Sequence, residues 1–218
     1  NDPVDHAIYQ FYTETGIPVF YNDTIGEETR VDNWGNSYTH YEILQFGSSS
    51  LGGTETPNPF SSYELCPKEE FLREEIVPVL PESIKITSFL LLKSLTPYNS
   101  AVVSNEAFKG LNTVLISRVS ELKNMSDAER LNMKGTVLNA VLATPVSGYT
   151  EELTAFYQMT RSCYTENLYG CAGWYFYNRY GFSDPRAVGF LKDPNPYDYG
   201  NMPTEIQDVG MYIKAMFT

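Results

Sequence analysis

Ser126-Asp127-Ala128-Glu129-Arg130-Leu131-Asn132-Met133-Lys134-Gly135-Thr136-Val137-Leu138-Asn139-Ala140-Val141-Leu142-Ala143-Thr144-Pro145 is the stretch on which the fold turns. Ser126 and Glu129 stand at capping-box spacing, where the serine oxygen can accept from the Glu129 amide and the glutamate carboxylate reaches back to the cap. Leu131, Val137, Leu138, Val141 and Leu142 then recur at helical spacing, and Pro145 is expected just beyond the helix end. Strands and loops dominate upstream of this helix, and only helices are expected downstream. That order predicts an α+β fold with a small mixed sheet, N-terminal helices and a helical C-terminal half.

Working upstream, Thr113-Val114-Leu115-Ile116 and Ala101-Val102-Val103 read as short strands, and 84–95 is β-rich around Phe89-Leu90-Leu91-Leu92. Lys68 to Leu80 reads as a helix stopped by Pro81, with Phe71, Leu72, Ile76 and Val79 on its apolar stripe. The segment 22–67 is rich in Gly, Ser, Thr, Asn and Pro, as in Gly47-Ser48-Ser49-Ser50, and reads as a long loop or weakly ordered insertion. Before it, Ile17-Pro18-Val19-Phe20-Tyr21 reads as a strand, and Val4, Ala7, Ile8, Phe11 and Tyr12 as the stripe of a helix ended by Gly16. Downstream, helices are expected near 150–161, 168–179 and 203–216. No repeat is visible, so residues 1–218 are expected to form one domain carrying the 22–67 insertion.

The chain is 42% hydrophobic, 14% aromatic and 19% charged, a composition that suits a packed globular core. Its net charge of -12 repels phosphate backbones, so nucleic acid is not an expected partner. No apolar run approaches the length of a membrane span. Asn1-Asp2-Pro3-Val4-Asp5 has neither the basic nor the apolar region of a signal peptide, so a mature or trimmed chain is expected.

Chemistry-bearing motifs are few. His6 and His40 are the two histidines and are too far apart for an H-E-x-x-H site, which needs both imidazoles on one helix face and a glutamate base beside the first. Each reads first as a surface or structural residue. Cys66, before Pro67 at a helix start, could be an activated thiol paired with His40, or an inert core cysteine. Cys163 and Cys171 could close a small disulfide loop or stand as separate thiols. The acid pairs Glu27/Glu28, Glu69/Glu70, Glu74/Glu75 and Glu151/Glu152 point apart along their elements and read as solvated faces. Asp193-Pro194-Asn195-Pro196-Tyr197-Asp198 reads as a rigid proline loop without the EF-hand pattern. Tyr164, Tyr169, Trp174, Tyr175, Phe176, Tyr177 and Tyr180 crowd together and read as core, or as an exposed binding platform.

Asp5-His6-Ala7-Ile8-Tyr9-Gln10-Phe11-Tyr12 with Gly16-Ile17-Pro18-Val19-Phe20-Tyr21, the stretch Phe71 to Pro81, and Gly181-Phe182-Ser183-Asp184-Pro185 together resemble a family of Bacteroidetes lipoproteins. These are zinc metallopeptidase-like proteins associated with substrate-import systems. The resemblance implies a zincin-like fold, a lipid anchor at the outer membrane, and a place beside a TonB-dependent transport system. It also puts the family's H-E-x-x-H on the helix after Ser126, where this chain has Thr136, Val137 and Ala140 at the first His, the Glu and the second His. The family's third, acidic ligand falls near Gln207, with Glu205 and Asp208 close by. Valine and alanine have no donor, threonine is a poor zinc ligand, and no base remains to activate water. No catalytic residue, metal ligand or cofactor is therefore assigned.

Three functions follow as expectations. The first is a catalytically degenerate accessory or binding protein of nutrient uptake, taking a peptide or a glycan in the cell envelope. The second is an active hydrolase with a relocated site built from Glu205 and Asp208, or from His40. The third is a structural or adhesin-like surface protein using the 164–180 aromatics or the 47–60 loop. Small, apolar Val137 and Ala140 further predict that the former metal site is at least partly packed shut.

Overall fold

A computed structural model describes residues 3–21, 24–44, 55–59, 69–97, 107–110, 112–149, 151–161, 169–181, 184–191 and 202–218. The chain divides into two compact units, Asn1–Val137 and Leu138–Thr218. The α+β class with a small mixed sheet, expected from the sequence, is the architecture found.

The first unit is built on β5, Phe89–Pro97. Phe89, Leu90, Leu91 and Leu92 are at most 1% exposed, so both faces of this strand are covered. A continuous apolar run is what a strand buried on both sides requires, and each such side chain contributes about 1.5–3 kcal/mol by leaving water. β1 (Val19–Phe20) and β7 (Val114–Ile116) pair parallel to its start. β6 (Ala107–Lys109) closes the far edge antiparallel to β7, and β4 (Glu55–Pro59) pairs antiparallel with the rest of β5. Leu44, Leu90, Leu92 and Leu115 form one core cluster of this unit, with Phe20, Ile25 and Phe108 against it.

α1, Pro3–Thr15, opens the unit and buries Val4 and Phe11. Tyr12, expected on that stripe, is instead 48% exposed. Proline in the first turn loses no hydrogen bond there, and the Gly16 amide closes the other end on the Tyr12 carbonyl at 2.8 Å.

Within the expected loop 22–67 the structure places a hairpin, β2 (Thr24–Val31) with β3 (Ser37–Ile43). Asp32 builds its turn: one carboxylate oxygen accepts from the Trp34 amide at 2.9 Å and the Asn36 amide at 2.8 Å. Gly35 takes φ 86, a conformation that side chains disfavour. The hairpin went unread because it carries little apolar alternation; even Val31, Tyr38 and Tyr41 are exposed.

The expected helix 68–80 is helical but not regular. α2 (Glu69–Phe71) passes into a π turn at Leu72–Ile76 and a tighter 3-10 turn at Val77–Val79. Pro78 has no amide to offer the preceding turn, so the ladder changes pitch around it. The 101–103 strand lies outside the described residues.

α3, Asp127–Ser147, crosses the boundary between the units. Its capping box forms as expected: Ser126 N to Glu129 Oε2 is 2.8 Å and Glu129 N to Ser126 Oγ is 3.4 Å. Pro145 lies inside the helix rather than after it. The last turn tightens instead, with Gly148 N donating to the Pro145 carbonyl at 3.2 Å. The second unit continues with α4 (Thr154–Arg161), α5 (Gly173–Tyr180) and α6 (Glu205–Met216). Val188, Phe190 and Met202 form a core cluster there, with Tyr169, Cys171 and Tyr180 against it. Among the described residues no helix is long and apolar enough to cross a membrane.

Candidate functional site

The α3 turn Thr136–Ala140, where the resemblance would put a zinc site, is buried at Val137 and half-buried at Thr136, Asn139 and Ala140. Val137 is 0% exposed, and Thr136 Oγ1 donates to the Asn132 carbonyl one turn back at 2.9 Å. A hydroxyl so engaged is satisfied within its own helix. Among the described residues no group of three or more His, Cys, Asp or Glu could hold a metal ion.

Asn139, on the next step of the helix, behaves differently. It lines an open groove of about 540 Å3 in the second unit, together with Gly170, Met202, Pro203, Ile206, Gln207 and others. Of the two residues expected to pack the site shut, Val137 is buried, whereas Ala140 is half-buried and the neighbouring Asn139 lines a groove. The amides of Gly170 and Met202 donate to the carbonyls of Pro203 and Cys171 at 2.9 and 2.7 Å, which fixes one wall. The α6 terminus forms another wall through a second capping box. Thr204 N donates to Gln207 Oε1 at 2.9 Å, and Gln207 N to Thr204 Oγ1 at 3.3 Å. The residue nearest the expected third ligand thus has its side-chain oxygen committed to a cap.

Asp208 is 0% exposed and accepts a hydrogen bond from the Tyr169 hydroxyl at 2.8 Å. Its charge, after burial, helps raise the Tyr212 phenol above its ordinary range. Glu205 is half-buried. Asp208 is therefore closed off from solvent, and Glu205 stands three residues before it on the same helix. What the groove offers is a methionine, isoleucine and proline lining with amide groups of Asn139 and Gln207, which suits an apolar side chain.

The other sequence candidates are scattered. His6 is exposed on α1. His40 lies on β3 opposite Glu28, and a groove of about 400 Å3 is lined there by Gly26, Glu28, Arg30, His40 and Glu42. Glu28 is ion-paired to Arg30 and Glu75 to Arg130, while Glu70, Glu74, Glu151 and Glu152 are exposed. Cys171 is a free, half-buried thiol whose pKa burial raises. Cys66, Cys163, Tyr164 and 193–198 lie outside the described residues. Of the aromatic cluster, Tyr169 packs edge-on to Phe190 at 5.7 Å between centroids, while Tyr175 and Tyr177 are exposed. Its described side chains are split between core and surface.

A second aromatic concentration was missed in the sequence. Asp5, Tyr9, Tyr12, Phe20 and Tyr21 help line a groove of about 560 Å3 beside α1. The available signal was Tyr9 and Tyr12, three residues apart on a helix whose core stripe was already filled by Val4 and Phe11. No family model, no curated protein and no solved structure matches the chain.

Proposed function

We propose that this chain is a catalytically degenerate, zinc-metallopeptidase-like lipoprotein of zincin-like fold. In this reading it serves outer-membrane nutrient uptake in Bacteroidetes, beside a TonB-dependent transporter, and holds a peptide or a glycan. The α3 turn carries the reading. Where the resembled family has two imidazoles and a carboxylate, this chain has Thr136, Val137 and Ala140, with the valine fully buried. A water-activating metal needs donors at those places. The groove beside Asn139 supports binding in place of hydrolysis, since its apolar lining and terminal amides can seat a side chain.

The test is elemental analysis of the purified chain together with a peptidase assay on denatured casein. Substoichiometric zinc and no cleavage are expected, with and without added zinc. One zinc per chain accompanied by cleavage that a chelator abolishes would overturn the proposal.

A further inference from the structure

We propose that the α1 groove binds a cationic side chain, that of an arginine or lysine in a peptide. Asp5, Tyr9 and Tyr12 follow one another at helical spacing along α1, and Phe20 and Tyr21 supply a second wall of the same groove. Tyr9 is 63% exposed and Tyr12 48%, so both side chains are open to a ligand. Asp5 sits in the first turn of α1. Its Oδ1 accepts from the Tyr21 hydroxyl at 3.0 Å, which ties the two walls together. No ion pair among the described residues engages Asp5.

The same unit shows how it holds a guanidinium. Arg73 lies 5.8 Å from the Phe11 ring centroid and pairs with Glu14; Arg130 lies 5.5 Å from the Phe71 ring and pairs with Glu75. Each receptor is one aromatic face plus one carboxylate, an arrangement in which quadrupole and charge act together. The α1 groove repeats those two parts with more rings, and no arginine or lysine lines it. The net charge of -12 adds a long-range field that gathers cations and disfavours anions. A neutral sugar could stack on the same tyrosines but would gain nothing from Asp5's charge or from that field.

The inference stands whether or not α3 ever held a metal. The test titrates the full chain with acetyl-Gly-Arg-Gly-amide, its citrulline counterpart and maltotriose, followed by calorimetry. The arginine peptide should bind saturably, and the citrulline peptide at least about fivefold more weakly. Tyr9→Ala should weaken binding about as much, while Tyr9→Phe, which keeps the ring, should not. Asp5→Asn keeps an oxygen for Tyr21 and should weaken the arginine peptide alone. Tyr12→Ala provides an independent arm, and circular dichroism checks that each variant is folded. Equal binding of arginine and citrulline peptides overturns the proposal. So does binding of maltotriose alone, indifference to Tyr9→Ala, or no saturable binding of the arginine peptide.

Discussion

Among the described glycines, Gly210 is where a single added carbon would come nearest to another atom. A methyl there would lie 2.1 Å from Asn139 Oδ1 and 3.2 Å from the Ala143 Cβ. Replacing a helical glycine by alanine ordinarily stabilises by about 1 kcal/mol. Overpacking of this kind costs about 1–3 kcal/mol, so the clash should win. Gly210→Ala is expected to lower the unfolding free energy from urea titration by about 1 kcal/mol. Asn139→Ala in the same chain should recover most of that loss, because it removes the two nearest atoms. If the single variant is as stable as the parent, Asn139 swings away freely and the groove wall it forms is soft. The absence of donors at Thr136, Val137 and Ala140 was legible in the sequence, because it depends only on residue type. The Asn139–Gly210 approach was not, because nothing local in either helix announces which faces will meet. The same limit hid the α1 groove, whose walls come from a helix and a following strand.

Elements were legible in proportion to the strength of their local signals. The Ser126 capping box forms as expected and the β-rich 84–95 stretch is a strand from Phe89 onward, since one rests on side-chain chemistry three residues apart and the other on a run of large apolar residues. The hairpin at 24–43 was missed because its order comes from the Asp32 turn rather than from burial. Pro145 was misread because a proline near the end of a helix displaces few hydrogen bonds. The capping box also yields a pH prediction. The Ser126 hydroxyl, and then its amide, hold the Glu129 carboxyl below the ordinary glutamate range. The folded chain therefore binds fewer protons here than the unfolded chain. The stabilisation is complete above that range and is lost as pH falls through the lowered value. Ser126→Ala should reduce stability by about 0.5–2 kcal/mol near neutral pH. The gap between parent and variant should then narrow as pH falls below the ordinary glutamate range. Parallel urea titrations over that fall in pH check it. A gap independent of pH would mean the glutamate adds nothing through its charge.

Over the whole molecule, charge imbalance sets the dominant electrostatic term. The sequence has 27 acidic and 15 basic side chains, so at least 27 − 15 = 12 acids have no lysine or arginine of their own. Two effects then respond oppositely to salt. Ion pairs such as Arg73–Glu14 and Arg186–Asp184 are weakened by screening, but their side chains are 34–56% exposed. Pairs that open to solvent are worth about 0–1 kcal/mol each before any salt is added. Repulsion among the unmatched carboxylates acts over longer distances, and a Debye length of about 10 Å at 0.1 M cuts it most strongly. The long-range term should win, so the melting temperature is expected to rise as NaCl goes from about 0.05 to 0.5 M. A fall would mean that the local pairs outweigh the collective repulsion. The ionic strength that stabilises the fold should at the same time weaken capture of an arginine peptide at Asp5. Opposite salt responses of stability and binding in one preparation would separate the field of the whole chain from the single carboxylate in the groove.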